Sequence, residues 1–158
     1  WSSDVCSSDL ANSGIVTSES KTIKTPVAPV YSIDGTYTAI QYDAQGKAEP
    51  ESYKVQINYV AGSETSVEIF NIFNGGQKIT GTYNKADGTL VIPTDQIVML
   101  HPSYGEVLMK GVDDAIENYT KTISCSFTAK GGTLITGNWQ ASCSAGSFGF
   151  FYLSMKHE

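Results

Sequence analysis

Tyr-Lys-Val-Gln-Ile-Asn-Tyr, residues 53–59, alternates apolar and polar side chains at every position. Successive side chains of a β-strand point to opposite faces, so this stretch predicts a strand with one buried and one solvated face. Turn-forming residues separate it from other short apolar runs on both sides. The sequence therefore predicts a succession of antiparallel strands with short connections between them.

The neighbouring segments repeat this pattern along the chain. Asn74-Gly75-Gly76 is a hairpin signal, because asparagine and glycine both tolerate positive φ. We predict further strands over residues 36–43, 67–73, 77–83, 89–92, 96–100 and 106–112. Residues 113–118 are predicted to form a loop or a single helical turn.

The next two runs, residues 123–129 and 135–141, allow a prediction of register. A three-residue loop at Lys130-Gly131-Gly132 places apolar side chains opposite one another, with Phe127 facing Ile135. In that register Cys143 lies six residues along the strand from Cys125, or about 20 Å at ~3.3 Å per residue. Disulfide geometry requires Cα atoms within about 7 Å, so we expect no disulfide, with Cys125 and Cys143 free.

The last run, residues 147–155, is apolar on both faces. Phe148, Phe150 and Tyr152 share one face, and Phe151, Leu153 and Met155 share the other. We predict a central or closing strand that is covered on both sides. Together the runs predict an all-β fold, an antiparallel barrel or sandwich of about eight to ten strands.

The N-terminal segment is predicted to lie outside this fold. Residues 1–10 resemble the translation of a sequencing adapter and are interpreted as a cloning artefact. Residues 11–30 are interpreted as the end of a preceding domain and a linker, since Pro26 and Pro29 cannot join a central strand. Residues 31–158 are then the predicted β-domain.

Charge and composition argue against several functions. Without Asp4 and Asp9 the 16 acidic residues fall to 14 against 10 lysines, a formal charge of −4, and the chain contains no arginine. Arginine makes most bidentate phosphate and guanine contacts, so we expect no nucleic-acid binding. No apolar run approaches the ~18 residues of a membrane helix, so we expect no transmembrane segment.

Catalytic and metal-binding motifs are missing from the sequence. His101 and His157 have no Cys, His or Asp at a metal-ligand spacing, and we interpret them as surface or loop histidines. No nucleophile elbow, phosphate-binding loop or dinucleotide fingerprint occurs. We therefore expect no enzymatic activity, no cofactor and no metal site.

Two groups of carboxylates are candidates for acid–base chemistry or cation binding. Glu49 and Glu51 flank Pro50 in a predicted turn, and Asp113, Asp114 and Glu117 cluster in a predicted loop. Their spacing matches no calcium loop, and we interpret both groups as solvated.

Aromatic side chains are the remaining candidates for ligand contacts. The predicted register points Trp139 into the core. Tyr42 and Tyr104 lie near predicted strand ends or in loops, and we predict them as ligand-binding residues because an exposed aromatic ring can stack on a ligand.

Two stretches carry a family resemblance. Ala-Asn-Ser-Gly, residues 11–14, and the threonine-rich segment after it are similar to the final strands of bacterial Ig-like domains. Asp-Gly-Thr-Tyr-Thr-Ala, residues 34–39, resembles the opening strand of the C-terminal β-domain of Bacteroidetes-type surface lipoproteins, and also that of lipocalin-like barrels. The resemblance implies an extracytoplasmic protein at the outer membrane surface or in the periplasm, with a lipid anchor upstream of this sequence. It implies glycan capture but no particular binding residue.

Three functional hypotheses follow. The first is a non-enzymatic surface module that binds a glycan or another surface protein. The second is a lipocalin-like carrier of a small apolar ligand, since eight-stranded barrels can enclose one. The third is a structural or adhesive subunit. A filled interior favours the first, whereas an apolar cavity of ~300 Å³ or more favours the second.

Overall fold

The computed structural model describes residues 29–158. Residues 1–10, interpreted above as a cloning artefact, and residues 11–28 of the predicted preceding-domain segment lie outside the described residues. The described part is all-β and contains no helix. It therefore has no helix that is long and apolar enough to cross a membrane.

The described residues form eleven strands, and every pairing between these strands is antiparallel. In chain order they are β1 (Gly35–Asp43), β2 (Ala48–Tyr59), β3 (Ser66–Phe70), β4 (Lys78–Asn84), β5 (Thr89–Pro93), β6 (Gln96–His101), β7 (Gly105–Gly111), β8 (Thr122–Thr128), β9 (Thr133–Thr136), β10 (Trp139–Cys143) and β11 (Gly146–His157).

Eight of these strands close into a barrel. Their order around the barrel is β1, β2, β3, β4, β5, β8, β9 and β11, and β11 pairs back onto β1. Because the described residues form strands and no helix, the all-β prediction is confirmed. Because the ring of strands closes, the fold is a barrel and not a sandwich. The order is consistent with a lipocalin-like barrel.

The other three strands extend the barrel wall at one end. β6 follows β5 after two residues, and β10 follows β9 after two residues on the same edge of β11. β7 joins them, since it pairs with both β6 and β10. Residues 112–121 form a loop between β7 and β8, as predicted for residues 113–118, with Ile116 at φ 58°.

Side chains fill the interior of the barrel. Val55 and Ile57, from the alternating stretch in β2, are completely buried, as are Trp139 and Leu153. An eight-stranded barrel is just wide enough for its own side chains to fill it. The filled core spans the middle of the barrel and its closed end.

The closed end is covered by the residues before β1 and by the end of β11. Tyr31 donates its backbone N–H to the carbonyl of Ala129 at 2.9 Å, and Ile33 is buried in the core. His157 packs against Tyr31, with ring centroids 4.7 Å apart, and its Nε2 lies 2.9 Å from the carbonyl oxygen of Asp34. His157 is thus half-buried and packed, which corrects its interpretation as a surface histidine.

The register of the β8–β9 hairpin differs from the prediction. Phe127 pairs with Leu134, not with Ile135, because the connection has four residues, 129–132, with Gly131 and Gly132 both at positive φ. Leu134 is therefore buried and Ile135 is exposed. The strand breaks between Thr136 and Trp139, and this break returns Trp139 to the inner face, where the sequence also predicts it.

The last strand closes the barrel, as predicted. Leu153 and Met155 are buried in the core, and the ring of Phe151 packs on Trp139. The opposite face is not covered by a second layer, because Phe150 and Tyr152 are half-exposed. This part of the prediction is wrong.

Candidate ligand-binding site

An aromatic cluster ends the filled core towards the open end of the barrel. Phe73 meets Trp139 edge-on with ring centroids 5.1 Å apart, and Phe151 lies 5.7 Å from Phe73 and 5.5 Å from Trp139. Trp139 is fully buried, whereas Phe73 and Phe151 are partly exposed. The two phenylalanines therefore mark the boundary between the filled core and the open end of the barrel.

On the open side of this boundary is a depression of about 400 Å³, which we call the mouth pocket. Its apolar lining consists of Tyr53, Phe73, Met99, Phe148 and Phe151. Its polar lining consists of Gln41, Glu49, Glu51 and Asn74. The volume is within the range of small-molecule sites, and the mixture of an apolar surface with a few polar groups is typical of them.

The two carboxylates reach the pocket because of the alternation in β2. Glu49, Glu51 and Tyr53 are two residues apart and all line the pocket, and the same face continues with the buried Val55 and Ile57. Both glutamates lie within a strand, which corrects their assignment to a turn.

An irregularity in the β1–β2 pairing accompanies this position. Ile40 pairs with Ser52 and Tyr42 with Ala48, so residues 49–51 stand opposite Gln41 alone. Pro50 lies at the centre of this bulge, where a missing N–H does not break the ladder.

The remaining polar groups of the pocket are neutral. The Tyr53 hydroxyl donates a hydrogen bond to the carbonyl of Ile72 at 2.8 Å, and burial raises the pKa of Tyr53 well above its usual value. Gln41 and Asn74 contribute amide groups, and no lysine of the described part of the chain lines the pocket. Among residues 29–158, the formal charges in the lining are therefore the two negative charges of Glu49 and Glu51.

An aromatic rim adjoins the mouth pocket. His101, Tyr104 and Phe148 pack together, with ring centroids 4.8 to 5.7 Å apart. Tyr104 is 47% exposed and Phe148 is 39% exposed. Two further depressions, of about 240 and 440 Å³, also include Tyr104 and Cys143 in their linings.

The two predicted ligand-binding tyrosines occupy different surfaces. Tyr104 lies on the rim of the open end, next to the mouth pocket. Tyr42 instead stacks on Tyr152, with ring centroids 4.9 Å apart and planes 6° apart. Its neighbour Gln41 lines the pocket, so Tyr42 is on the outer face of the barrel wall. The structure does not bring the two tyrosines together.

The acidic loop is held by its own hydrogen bonds. Asp113 accepts bonds from the backbone N–H of Glu117 and the side-chain amide of Asn118, both at 2.8 Å. These bonds lower the pKa of Asp113 below its usual value. Within residues 29–158, no group of three or more His, Cys, Asp or Glu side chains is arranged to hold a metal ion.

The two cysteines of the β-domain are free thiols in the structure. Cys125 is buried in the core, and its burial raises its pKa to about 12. Cys143 is partly exposed and lines both of the smaller depressions that include Tyr104.

Sequence reasoning missed Gln41, Phe73, Asn74 and Phe151 as pocket residues. The alternation of residues 53–57 could have identified Glu49 and Glu51. Continued towards the N-terminus at every second residue, it places both glutamates on the same face as Tyr53. Comparison of the chain with protein-family models, with curated proteins and with solved structures found no match.

Proposed function

We propose that this domain is a non-enzymatic cell-surface binding module and that the mouth pocket is its glycan-binding site. One observation carries the proposal: the same pocket joins aromatic rings, Phe148 and Phe151, to the carboxylate and amide oxygens of Glu49, Glu51 and Gln41. A sugar ring presents C–H groups on its faces and hydroxyl groups around its edge. Aromatic rings suit the former, and carboxylate and amide groups suit the latter.

The position of the carboxylates supports binding over hydrolysis. A glycosidase places two carboxyl groups on either side of the scissile bond. Glu49 and Glu51 are instead neighbours on one face of β2, so they line the same wall of the pocket.

A carrier of a small apolar ligand is the second candidate. The volume of about 400 Å³ favours it, because it exceeds the ~300 Å³ expected of a small-ligand site. The filled core beneath Phe73 and the four polar residues of the lining favour the glycan-binding module. A structural or adhesive role, or a protein partner, would use the same exposed aromatic rim.

The proposed location is the outer membrane surface or the periplasm, with an anchor upstream of this sequence. The resemblance of residues 34–39 to the opening strand of surface-lipoprotein β-domains supports this part of the proposal.

A glycan array probed with the full chain tests the proposal. Phe148→Ala and Tyr104→Ala alter the pocket and its rim, and Tyr42→Ala is the matched control on the outer face. We expect up to about tenfold weaker binding for Phe148→Ala, since one aromatic stacking contact contributes about 0.5–1.5 kcal/mol and ~1.4 kcal/mol is a factor of ten. The Tyr42→Ala variant is expected to bind like the parent chain.

Four results would contradict the proposal or part of it. Absence of binding to every glycan would reject glycan recognition, and loss of binding in Tyr42→Ala alone would move the site to the outer wall. Hydrolysis of a bound oligosaccharide would reject the non-enzymatic part. Binding of a fluorescent fatty acid, together with no binding to any glycan, would favour the carrier hypothesis.

A further inference from the structure

The mouth pocket has a negative charge that no other described residue offsets. The ion pairs found among residues 29–158 join Lys54 to Glu158, Lys78 to Glu68 and Lys110 to Asp95. None of them includes Glu49 or Glu51, and neither carboxylate takes part in a hydrogen bond within this part of the chain. Lys47, the nearest lysine in the sequence, does not line the pocket.

These carboxylates occupy positions that β2 otherwise uses for apolar side chains. The row Glu49, Glu51, Tyr53, Val55 and Ile57 runs from the open end into the core, and its exposed fraction falls along the way. Carboxylates usually lie on the solvated outer face of a barrel strand. On this face they point towards the pocket, where a bound ligand would meet them.

The apolar part of the pocket also suits a cation. The faces of phenylalanine and tyrosine rings attract an ammonium group through their quadrupole, most strongly where water is partly excluded. Phe148 and Phe151 line the same pocket as the two glutamates. An anionic ligand would find the amides of Gln41 and Asn74 as neutral hydrogen-bond donors in this lining. The negative charges of Glu49 and Glu51 would repel it.

From these contacts we infer that the mouth pocket selects ligands that carry a protonated amine on an apolar or sugar body. This inference rests on the proposed function where the ligand is a glycan, and there it names the class: amino sugars with free amines, in preference to N-acetylated or uronic-acid sugars. The same charge preference applies to an aromatic amine that contains no sugar.

Three oligosaccharides of equal length test the selection. They are a glucosamine oligomer, which is cationic at pH 6, its fully N-acetylated form, which is neutral, and a uronic-acid oligomer, which is anionic. We expect affinity to fall in that order, with about a tenfold step from cationic to neutral, which lies within the range of one cation–π contact with a partly screened ion pair. Raising the salt concentration should reduce the step, because exposed charges are screened.

The Glu49→Gln/Glu51→Gln double variant should bind the cationic oligomer about tenfold more weakly and leave the neutral oligomer within about twofold of the parent. Glu64→Gln/Glu117→Gln is the matched control, since it removes two exposed carboxylates that do not line the mouth pocket. Equal affinity of the parent chain for the cationic and neutral oligomers would overturn the inference and leave glycan binding intact.

Phenethylamine and its uncharged analogue phenethyl alcohol separate the two proposals. We expect the amine, but not the alcohol, to shift the NMR signals of Phe73 and Phe151, and the double variant to abolish the shift. If no oligomer binds while the amine does, glycan recognition fails and the charge selection stands. If amine and alcohol bind equally, the charge selection fails.

Discussion

The side-chain amide of Gln96 hydrogen bonds both backbone groups of Thr80. Its Oε1 accepts the N–H of Thr80, and its Nε2 donates to the carbonyl of Thr80, both at 2.9 Å. Thr82 pairs with Val91, and continuing this register places Thr80 opposite Pro93, which has no N–H. The side chain of Gln96 therefore supplies the hydrogen bond that Pro93 cannot donate to Thr80. This contact lies where the pairing of β4 with β5 ends, just before β6 begins.

Removing the side-chain amide of Gln96 should weaken the contact between β4 and the residues that connect β5 to β6. We expect Gln96→Ala to lower the free energy of unfolding by about 0.5–1.5 kcal/mol, since both groups of Thr80 and the carbonyl of Pro93 exchange an exposed protein hydrogen bond for water. Urea denaturation measures the loss, and amide exchange at Thr80 should become faster. Gln45→Ala, in the exposed β1–β2 turn, is the control and should change stability by less than about 0.5 kcal/mol. Equal effects of the two substitutions would contradict the role of Gln96.

The buried Trp139 predicts a difference between two substitutions. Its indole N–H has no hydrogen-bond partner among residues 29–158, although the side chain is fully buried. Trp139→Ala should cost about 3–5 kcal/mol through the cavity it leaves. Trp139→Phe should cost less, because it keeps an aromatic ring and removes an unsatisfied donor that itself costs about 1–3 kcal/mol. Urea unfolding of both variants checks the order, and an equal loss of stability would contradict it.

The two thiols of the β-domain should differ in reactivity. The thiolate is the reactive form, and burial raises the pKa of Cys125 to about 12, so at pH 8 to 9 its thiolate population is very small. We expect a thiol reagent to label Cys143 in the folded protein and to label Cys125 only after unfolding. Peptide mapping by mass spectrometry distinguishes these sites from Cys6. Labelling of Cys125 at the rate of Cys143 would show that the core opens locally.

Local alternation predicted the strands well. The period of two in residues 53–59 assigns Val55 and Ile57 to the core, and both are buried. The closure of the barrel by β11 and β1 depends on pairing between the two ends of the domain. Sequence pattern left barrel and sandwich equally open, because both are built from the same kind of strand.

The predicted register failed at a feature that alternation cannot resolve. Gly131 and Gly132, both at positive φ, allow a four-residue connection between β8 and β9. Around Gly137 the alternation of inward and outward side chains is interrupted a second time, between β9 and β10. A Cβ on Gly137 would lie 2.9 Å from the carbonyl oxygen of Ser124, so the backbones approach closely at this break. A strict period of two cannot continue through such a point.

The candidate site was only partly predictable. Tyr104 was predicted as a ligand-binding residue because it lies near a strand end or in a loop, and the structure places it on the rim beside the pocket. Glu49 and Glu51 were assigned to a turn because Pro50 lies between them. Proline disrupts a regular ladder but is compatible with a bulge. The pocket also needs Phe73 and Met99 from distant parts of the chain, and single-sequence patterns do not show which loops share one end of a barrel.

The contacts of Pro29 and Val30 give the domain a direction. Gly131 donates its N–H to the carbonyl of Pro29, and Val30 forms a bridge with Lys130, so the chain enters the barrel at its closed end. Whatever precedes Pro29 is attached there, and the mouth pocket opens at the opposite end. A surface attached on that side of the barrel would lie opposite the mouth pocket, and the pocket would then face away from that surface.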